Sequence, residues 1–328
     1  MRGRFTYASE TGKTASVRRA AQIDALAIPP AWTDVHIATT ERAAIQAWGF
    51  DARGRKQYRY HPNAVKRGQT RKYYRVRQMA RDLPAIRRRI HRDFSKRKLT
   101  RERVTAGMVR FLSDGFFRIG NDRYARENGT FGLTTLKKSH VEVDGDLVVF
   151  DYIGKRSIRH RQTVVSRDLA RFVQALMAAP GMRLFRYQDE SGQWHNIESV
   201  QVNQYLQELA GFPYSAKDFR TWGGTLRAAT VLADLGAAKS ENEAKRNVAT
   251  AVRLVAAELG NTPTICRKSY VHPVVIERYI KSGDTIQLPS RSNGRGDARA
   301  HTPEEGALIQ FLDAHFPDRR SRRRTNDE

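Results

Sequence analysis

One cysteine, Cys266, stands in the whole chain, so no disulfide can form within it and a reducing compartment is expected. Cysteine pairs of the kind that hold zinc are absent for the same reason. No apolar run is long enough to span a bilayer, and Met1-Arg2-Gly3-Arg4 lacks the apolar core of a signal peptide. No glycine-rich loop ending in Lys and Ser or Thr occurs, which argues against ATP-driven work. Nor is there a dense carboxylate cluster of the sort that holds the two metals of a nuclease. Acidic residues are scarce overall: 34 Asp and Glu face 59 Lys and Arg, a net charge of +25. A chain so charged repels itself unless a polyanion neutralises it, and nucleic acid is the first partner to expect, a membrane surface the second. Charge alone leaves ribosomal, chromatin and enzymatic readings open.

What is present suffices for folded domains. The chain has 328 residues, 40% of them hydrophobic, enough for two cores. Residues 1–78 read as a small β-rich unit. The segment from Ala44 to Phe50 is a strand, Asp51-Ala52-Arg53-Gly54 a turn, and Gln57 to Tyr60 a returning strand that Pro62 ends. From about Met79 the period becomes helical. Pro84 opens a segment with Ile86, Ile90 and Phe94 on one face, and Val104, Met108, Phe111 and Leu112 mark the next helix. The basic run from Arg87 to Lys98 between them fits either a solvated face or DNA contact. A β-rich island follows: Val141 to Val143 and Leu147 to Phe150 flank the turn Asp144-Gly145-Asp146, and a second turn at Gly154-Lys155 leads into Ser157 to Val165. Helices resume around Leu169, around Val202, and from Ala216 to Gly236. Another starts at the capping pattern Ser240-Glu241-Asn242-Glu243 and stops at Gly260. Residues 79–289 therefore read as a mainly helical domain. Residues 290–328 read as a linker, a short helix from Thr302 to Phe316, and a basic disordered tail from Arg319. No internal repeat is visible.

A DNA enzyme that uses neither metal nor ATP must store bond energy in a covalent intermediate or else not cut. The candidates narrow to a side-chain nucleophile among cationic donors. Tyr270 has such a setting. A helix ends at Gly260, the polar Asn261 follows, and the basic segment Arg267-Lys268-Ser269 presents the tyrosine. It is one of 12 tyrosines, and packing or surface roles remain open for it, as they do for Cys266.

The collective pattern is sharper. Phe117-Arg118-Ile119-Gly120-Asn121-Asp122-Arg123-Tyr124, followed by Glu127 to Leu136, resembles the first catalytic-arginine motif of the poxvirus-like and bacterial type IB DNA topoisomerases. Phe150-Asp151-Tyr152-Ile153-Gly154-Lys155 looks like their catalytic-lysine hairpin, Lys217-Asp218-Phe219-Arg220-Thr221-Trp222-Gly223 like their second arginine motif, and Asn261 to Tyr270 like the last. The four stand in family order, and Tyr58-Arg59-Tyr60 is similar to the family's DNA-contacting strand. The resemblance implies an α+β fold: a small β-rich N-terminal domain, then a larger, mainly α catalytic domain holding a three-stranded meander, as in tyrosine recombinases and type IB topoisomerases.

It also implies roles. Tyr270 would join the 3′-phosphate and release a 5′-hydroxyl, while Arg118 and Arg220 meet the charge on the non-bridging oxygens. Asn261 would donate a further hydrogen bond, and Lys155 would protonate the leaving 5′-oxygen. Tyr58, Tyr60 and Tyr124 are the DNA-binding candidates. No metal or cofactor is called for. The partner would be double-stranded DNA, clamped by a monomer, in a cytoplasmic, nucleoid-associated setting of bacterial type. Poxvirus members carry His at the Asn261 position, and Asn can supply only a neutral hydrogen bond. Tyrosine recombinases share the catalytic plan, but their second motif usually reads His-x-x-Arg where this chain has Lys217-Asp218-Phe219-Arg220. A non-catalytic DNA coat would suit the charge and leave the five ordered residues without a reason.

Overall fold

The computed structural model describes residue 12, residues 14–288, residue 297 and residues 299–316. The chain divides into two compact units, Met1–Tyr73 and Tyr74–Glu328. In the first unit, helix α1 (Val17–Ala25) precedes strands β1 (Thr33–Ile37), β2 (Ile45–Phe50) and β3 (Lys56–Tyr60). They pair antiparallel in the order β1-β2-β3. The β2–β3 turn closes on Asp51, whose Oδ1 accepts from the backbone N–H groups of Arg53 and Arg55, both at 3.0 Å.

Helix α2 (Pro62–Phe94) is where sequence expectation and structure part. The helix begins at Pro62, not near Met79, and Pro84 lies inside it instead of opening it. Seven of the ten residues 63–72 are polar or basic and only Ala64 and Val65 carry apolar side chains, so the first turns carry no apolar stripe that would show the helical period. Pro62 stands at the first helical position, where a missing N–H costs nothing. Interior Pro84 strips the Ala80 carbonyl of its helical donor, and His301 Nε2 supplies a replacement at 2.7 Å.

The second unit continues with α3 (Arg101–Gly115) and the short α4 (Asp122–Asn128). The meander β4 (Val141–Asp144), β5 (Leu147–Gly154) and β6 (Ile158–Val165) follows, with the order β4-β5-β6 expected from the alternation. After α5 (Arg167–Ala178) comes a small hairpin that the sequence reading missed, β7 (Arg186–Gln188) and β8 (Trp194–Asn196). Helices α6 (Ser199–Ala210), α7 (Ala216–Leu235), α8 (Glu241–Leu259), α9 (Pro263–Ser269), α10 (Pro273–Ser282) and α11 (Pro303–His315) complete it. Their apolar faces share one core, from Val76 and Met79 of α2 through Phe111, Phe150 and Phe172 to Val248 and Leu312. No described helix is long and apolar enough to cross a membrane.

Helix α11 is part of that core. Leu308 and Leu312 are buried, and Glu305 accepts from Arg87 through both carboxylate oxygens at 2.8 Å. Arg81 pairs with Asp313 at 2.6 Å, and Phe316 stacks on Tyr74. The expected short helix is thus present, but it is packed into the fold and is no appendage of a tail. Arg87, read as solvated or DNA-facing, is committed to Glu305, and Arg89 donates to the Leu209 carbonyl at 2.7 Å. Most of the expected linker from residue 290 and all of the basic tail from Arg319 lie outside the described residues.

Candidate active site

Each segment of the site is shaped by local chemistry. Helix α3 ends at Phe116, which takes the left-handed conformation at φ 52° and turns the chain sharply. Arg118 follows in an extended stretch held by the backbone of the next loop: Leu133 N–H donates to Arg118 O and Thr134 N–H to Ile119 O, both at 2.8 Å. Arg220 lies one turn into α7. The start of that helix is set by Asp218, which accepts from Ser215 N–H and takes a forked ion pair from Arg75 at 2.9–3.1 Å. Helix α8 stops at Gly260, left-handed at φ 58°, and Asn261 comes directly after. Thr262 then caps α9, which begins with Pro263. Tyr270 closes α9, its N–H donating to Cys266 O at 2.9 Å, and Cys266 itself is fully buried. That burial pushes the Cys266 thiol up to about 11, so the residue packs and does not react.

These segments meet on α7. Arg220 Nη1 donates to Phe116 O, and Nη2 to Leu259 O at 2.7 Å. Arg118 Nη2 donates to the next carbonyl, Gly260 O, at 2.7 Å, and to Asn261 Oδ1 at 2.8 Å. The Arg220 guanidinium lies 5.3 Å from the centre of the Tyr270 ring. Gly223 and Gly224 make this approach possible. A Cβ at Gly223 would sit 1.9 Å from the Phe116 ring, and one at Gly224 would sit 3.0 Å from Tyr270 O.

The electrostatics are unusual. Arg220 is 4% exposed, and among the described residues neither it nor Arg118 has a carboxylate partner. Both are held by neutral acceptors alone. Burial, and then the Arg118 charge, push Arg220 down to about 10, still protonated at neutral pH; burial lowers Arg118 too. The buried Nε of Arg220 makes no hydrogen bond within the described residues. Two cations with no carboxylate partner among the described residues give a setting that suits an anion.

A second tyrosine lies close by. Tyr152 is buried, its hydroxyl donates to Gln162 Oε1 at 2.7 Å, and burial pushes it up to about 12. Tyr270 closes a helix at the arginines, and its side chain interacts with Arg220.

Of the five catalytic candidates, Arg118, Arg220, Asn261 and Tyr270 come together. Lys155 does not touch them. It stands exposed at the β5–β6 turn, where Arg156 and Ser157 take left-handed angles of 68° and 57°. Tyr124 is 49% exposed on α4. Tyr58 and Tyr60 are exposed on one face of β3, their rings stacked at 5.8 Å. That face holds more than the sequence reading found. Trp48 pairs with Tyr58 across the strands, His36 stacks on Trp48 at 3.9 Å, and Lys56 Nζ lies 3.5 Å over the Trp48 ring. The missed signal was the alternation of β3, which puts Lys56, Tyr58 and Tyr60 on one side. His160, buried and against Arg118, was also missed, because nothing in its local sequence marks it.

Residues 62–290 match the family described as eukaryotic DNA topoisomerase I, catalytic core, and residues 4–51 match bacterial DNA topoisomerase IB, N-terminal domain. DNA topoisomerase 1B of Acanthamoeba polyphaga mimivirus is 30% identical over 280 residues, 83% of each chain. DNA topoisomerase 1 of rabbit fibroma virus is 28% identical over 73% of each chain. DNA topoisomerase 1B of vaccinia virus (strain Copenhagen) is 25% identical over 74% of this chain and 75% of that one.

Proposed function

Because the chain belongs to the type IB DNA topoisomerase family, we propose that Tyr270 cuts and reseals one strand of duplex DNA at the site built by Arg118, Arg220 and Asn261. Tyr270 Oη bonds to a backbone phosphorus as the bond to the 5′-oxygen breaks, and the phenol proton passes to solvent. The product is a 3′-phosphotyrosine and a 5′-hydroxyl. Charge gathers on the non-bridging oxygens, where the guanidinium groups of Arg118 and Arg220 receive it. With its Oδ1 engaged by Arg118 and one amide N–H directed to Leu259 O at 3.4 Å, Asn261 offers its other amide N–H to the same oxygens. Lys155 at the exposed hairpin tip protonates the leaving oxygen. The phosphodiester energy stays in the tyrosyl bond, so the reverse attack reseals the strand after supercoil torsion has turned the free end. The observation that carries this reading is the buried Arg220 and half-buried Arg118, with no carboxylate beside either among the described residues, the first against the Tyr270 ring.

The aromatic and basic face of His36, Trp48, Lys56, Tyr58 and Tyr60 fits contact with DNA, and Tyr124 is a further exposed candidate. Action as a monomer and a cytoplasmic, nucleoid-associated location belong to the same proposal. Supercoiled plasmid in EDTA without ATP tests it. Relaxation by the wild-type chain and none by Tyr270→Phe is expected; relaxation by purified Tyr270→Phe would put the nucleophile elsewhere.

A further inference from the structure

His160 lies on β6 with its ring turned into the site. Its Nε2 is 3.2 Å from Arg118 Nη1, and its ring is stacked with Tyr152 at 5.5 Å between centres. It fills a hollow formed by two glycines. A Cβ at Gly154 would come within 2.4 Å of the ring, and one at Gly260 within 2.0 Å. Those glycines directly precede Lys155 and Asn261 in the chain. One imidazole therefore touches three segments of the site: the Arg118 guanidinium, the base of the Lys155 turn and the loop before Asn261.

The chemistry of the contact is one-directional. Arginine has only donors, so Nε2 must accept and the ring proton must sit on Nδ1. The imidazole is neutral in this arrangement. Burial and the cations of Arg118 and Arg220 push His160 down to about 4, consistent with that state. With one Nη1 hydrogen on His160 and Nη2 on Gly260 O and Asn261 Oδ1, the guanidinium is held on two nitrogens. Its Nε–H and second Nη1–H stay available for an incoming phosphate.

We infer that His160 is a positioning residue for strand cleavage: its neutral Nε2 orients Arg118 toward the scissile phosphate. The inference rests on Arg118 acting in that reaction. It assigns His160 no contact with DNA and no proton transfer.

The test is a double-mutant cycle read by single-turnover cleavage. His160→Leu removes the acceptor at similar bulk and is expected to slow cleavage about 10²-fold, the scale of a 1 Å misplacement. His160→Gln returns an oxygen near the Nε2 position and should recover most of that loss. In an Arg118→Ala background, His160→Leu should cost almost nothing further. Replacing the bridging 5′-oxygen by sulfur should not rescue His160→Leu, whereas positioning of Lys155 would be rescued. If His160→Leu does not fold, His160→Asn, whose side chain falls short of Arg118, takes its place. An undiminished loss in the Arg118→Ala background, equal defects for Gln and Leu, or rescue by sulfur would each overturn the inference. Full activity of Arg118→Ala alone would instead strike at the reading of the site itself.

Discussion

Arg220 is a costly residue to bury, and Arg118 beside it is half-buried. A buried cation normally draws a carboxylate. These two are met by Phe116 O, Leu259 O, Gly260 O and Asn261 Oδ1, which orient them without neutralising them. Arg220→Lys keeps the charge but cannot reach Phe116 O, Leu259 O and a phosphate together. Single-turnover cleavage should fall about 10²–10³-fold, as on losing a transition-state donor. Tyr152→Phe should cleave at nearly the wild-type rate, because its hydroxyl serves Gln162 and not the phosphate. Lys155→Ala should be slowed roughly 10²–10⁴-fold on ordinary DNA and nearly restored when the bridging 5′-oxygen is sulfur, since a thiolate leaves unprotonated. Equal defects on both substrates would assign the acid elsewhere.

His160 adds a pH dependence whose sign follows from its surroundings. The charged or titratable groups at its ring are Arg118, Arg220 and Tyr152. Its folded pKa is depressed below the unfolded value near 6.5, so its share of stability is present above that value. That share is lost as pH falls from about 6.5 toward 4. Melting of the wild type against His160→Gln across that range should show the wild type losing more. Residue-scale legibility was uneven. Tyr270, Arg118 and Arg220 sit in motifs with fixed neighbours, whereas His160 is assigned only by what the fold brings to it from Gly260, a hundred residues away.

Among the elements, the meander and helices α3 and α5–α8 were legible because their apolar periods run uninterrupted. The first half of α2, together with α9, α10 and the β7–β8 hairpin, was not. Their residues are polar, or their lengths too short for a period to show, and their caps and tertiary contacts decide them. Helix α11 shows how context overrides position along the chain. Its Glu305 is drawn upward in pKa by burial, but the Arg87 fork and the Thr302 N–H outweigh that, and the net shift is downward. Glu305→Gln should cost about 2–3 kcal/mol, below the ~3–5 of a fully dry pair because Arg87 keeps some solvent. His301→Ala should cost about 1–3 kcal/mol by leaving Ala80 O without a donor. Truncation after Ala300 should lower the melting temperature sharply, while truncation after Asp318 should leave it nearly unchanged. Equal melting of the two truncations would show that α11 is dispensable.

For the whole molecule, the proposed function rests binding on the charge of +25 and chemistry on the arginine pair, and the two can be separated. Duplex affinity should fall steeply with salt, each neutralised phosphate adding about −0.9 to the slope of log K against log[salt]. Tyr270→Phe should keep that slope, since it removes no charge. Paired Ala substitutions at Tyr58 and Tyr60 should weaken affinity with little change in slope. The measurement closest to the central claim is the mass of the covalent adduct. A duplex whose cleaved strand loses its short 5′-hydroxyl fragment traps the intermediate, and digestion leaves a nucleotide on one peptide. The peptide holding Tyr270 should carry it through a 3′-phosphate; an adduct on Tyr152 or any other residue, or one joined through a 5′-phosphate, would contradict the assignment.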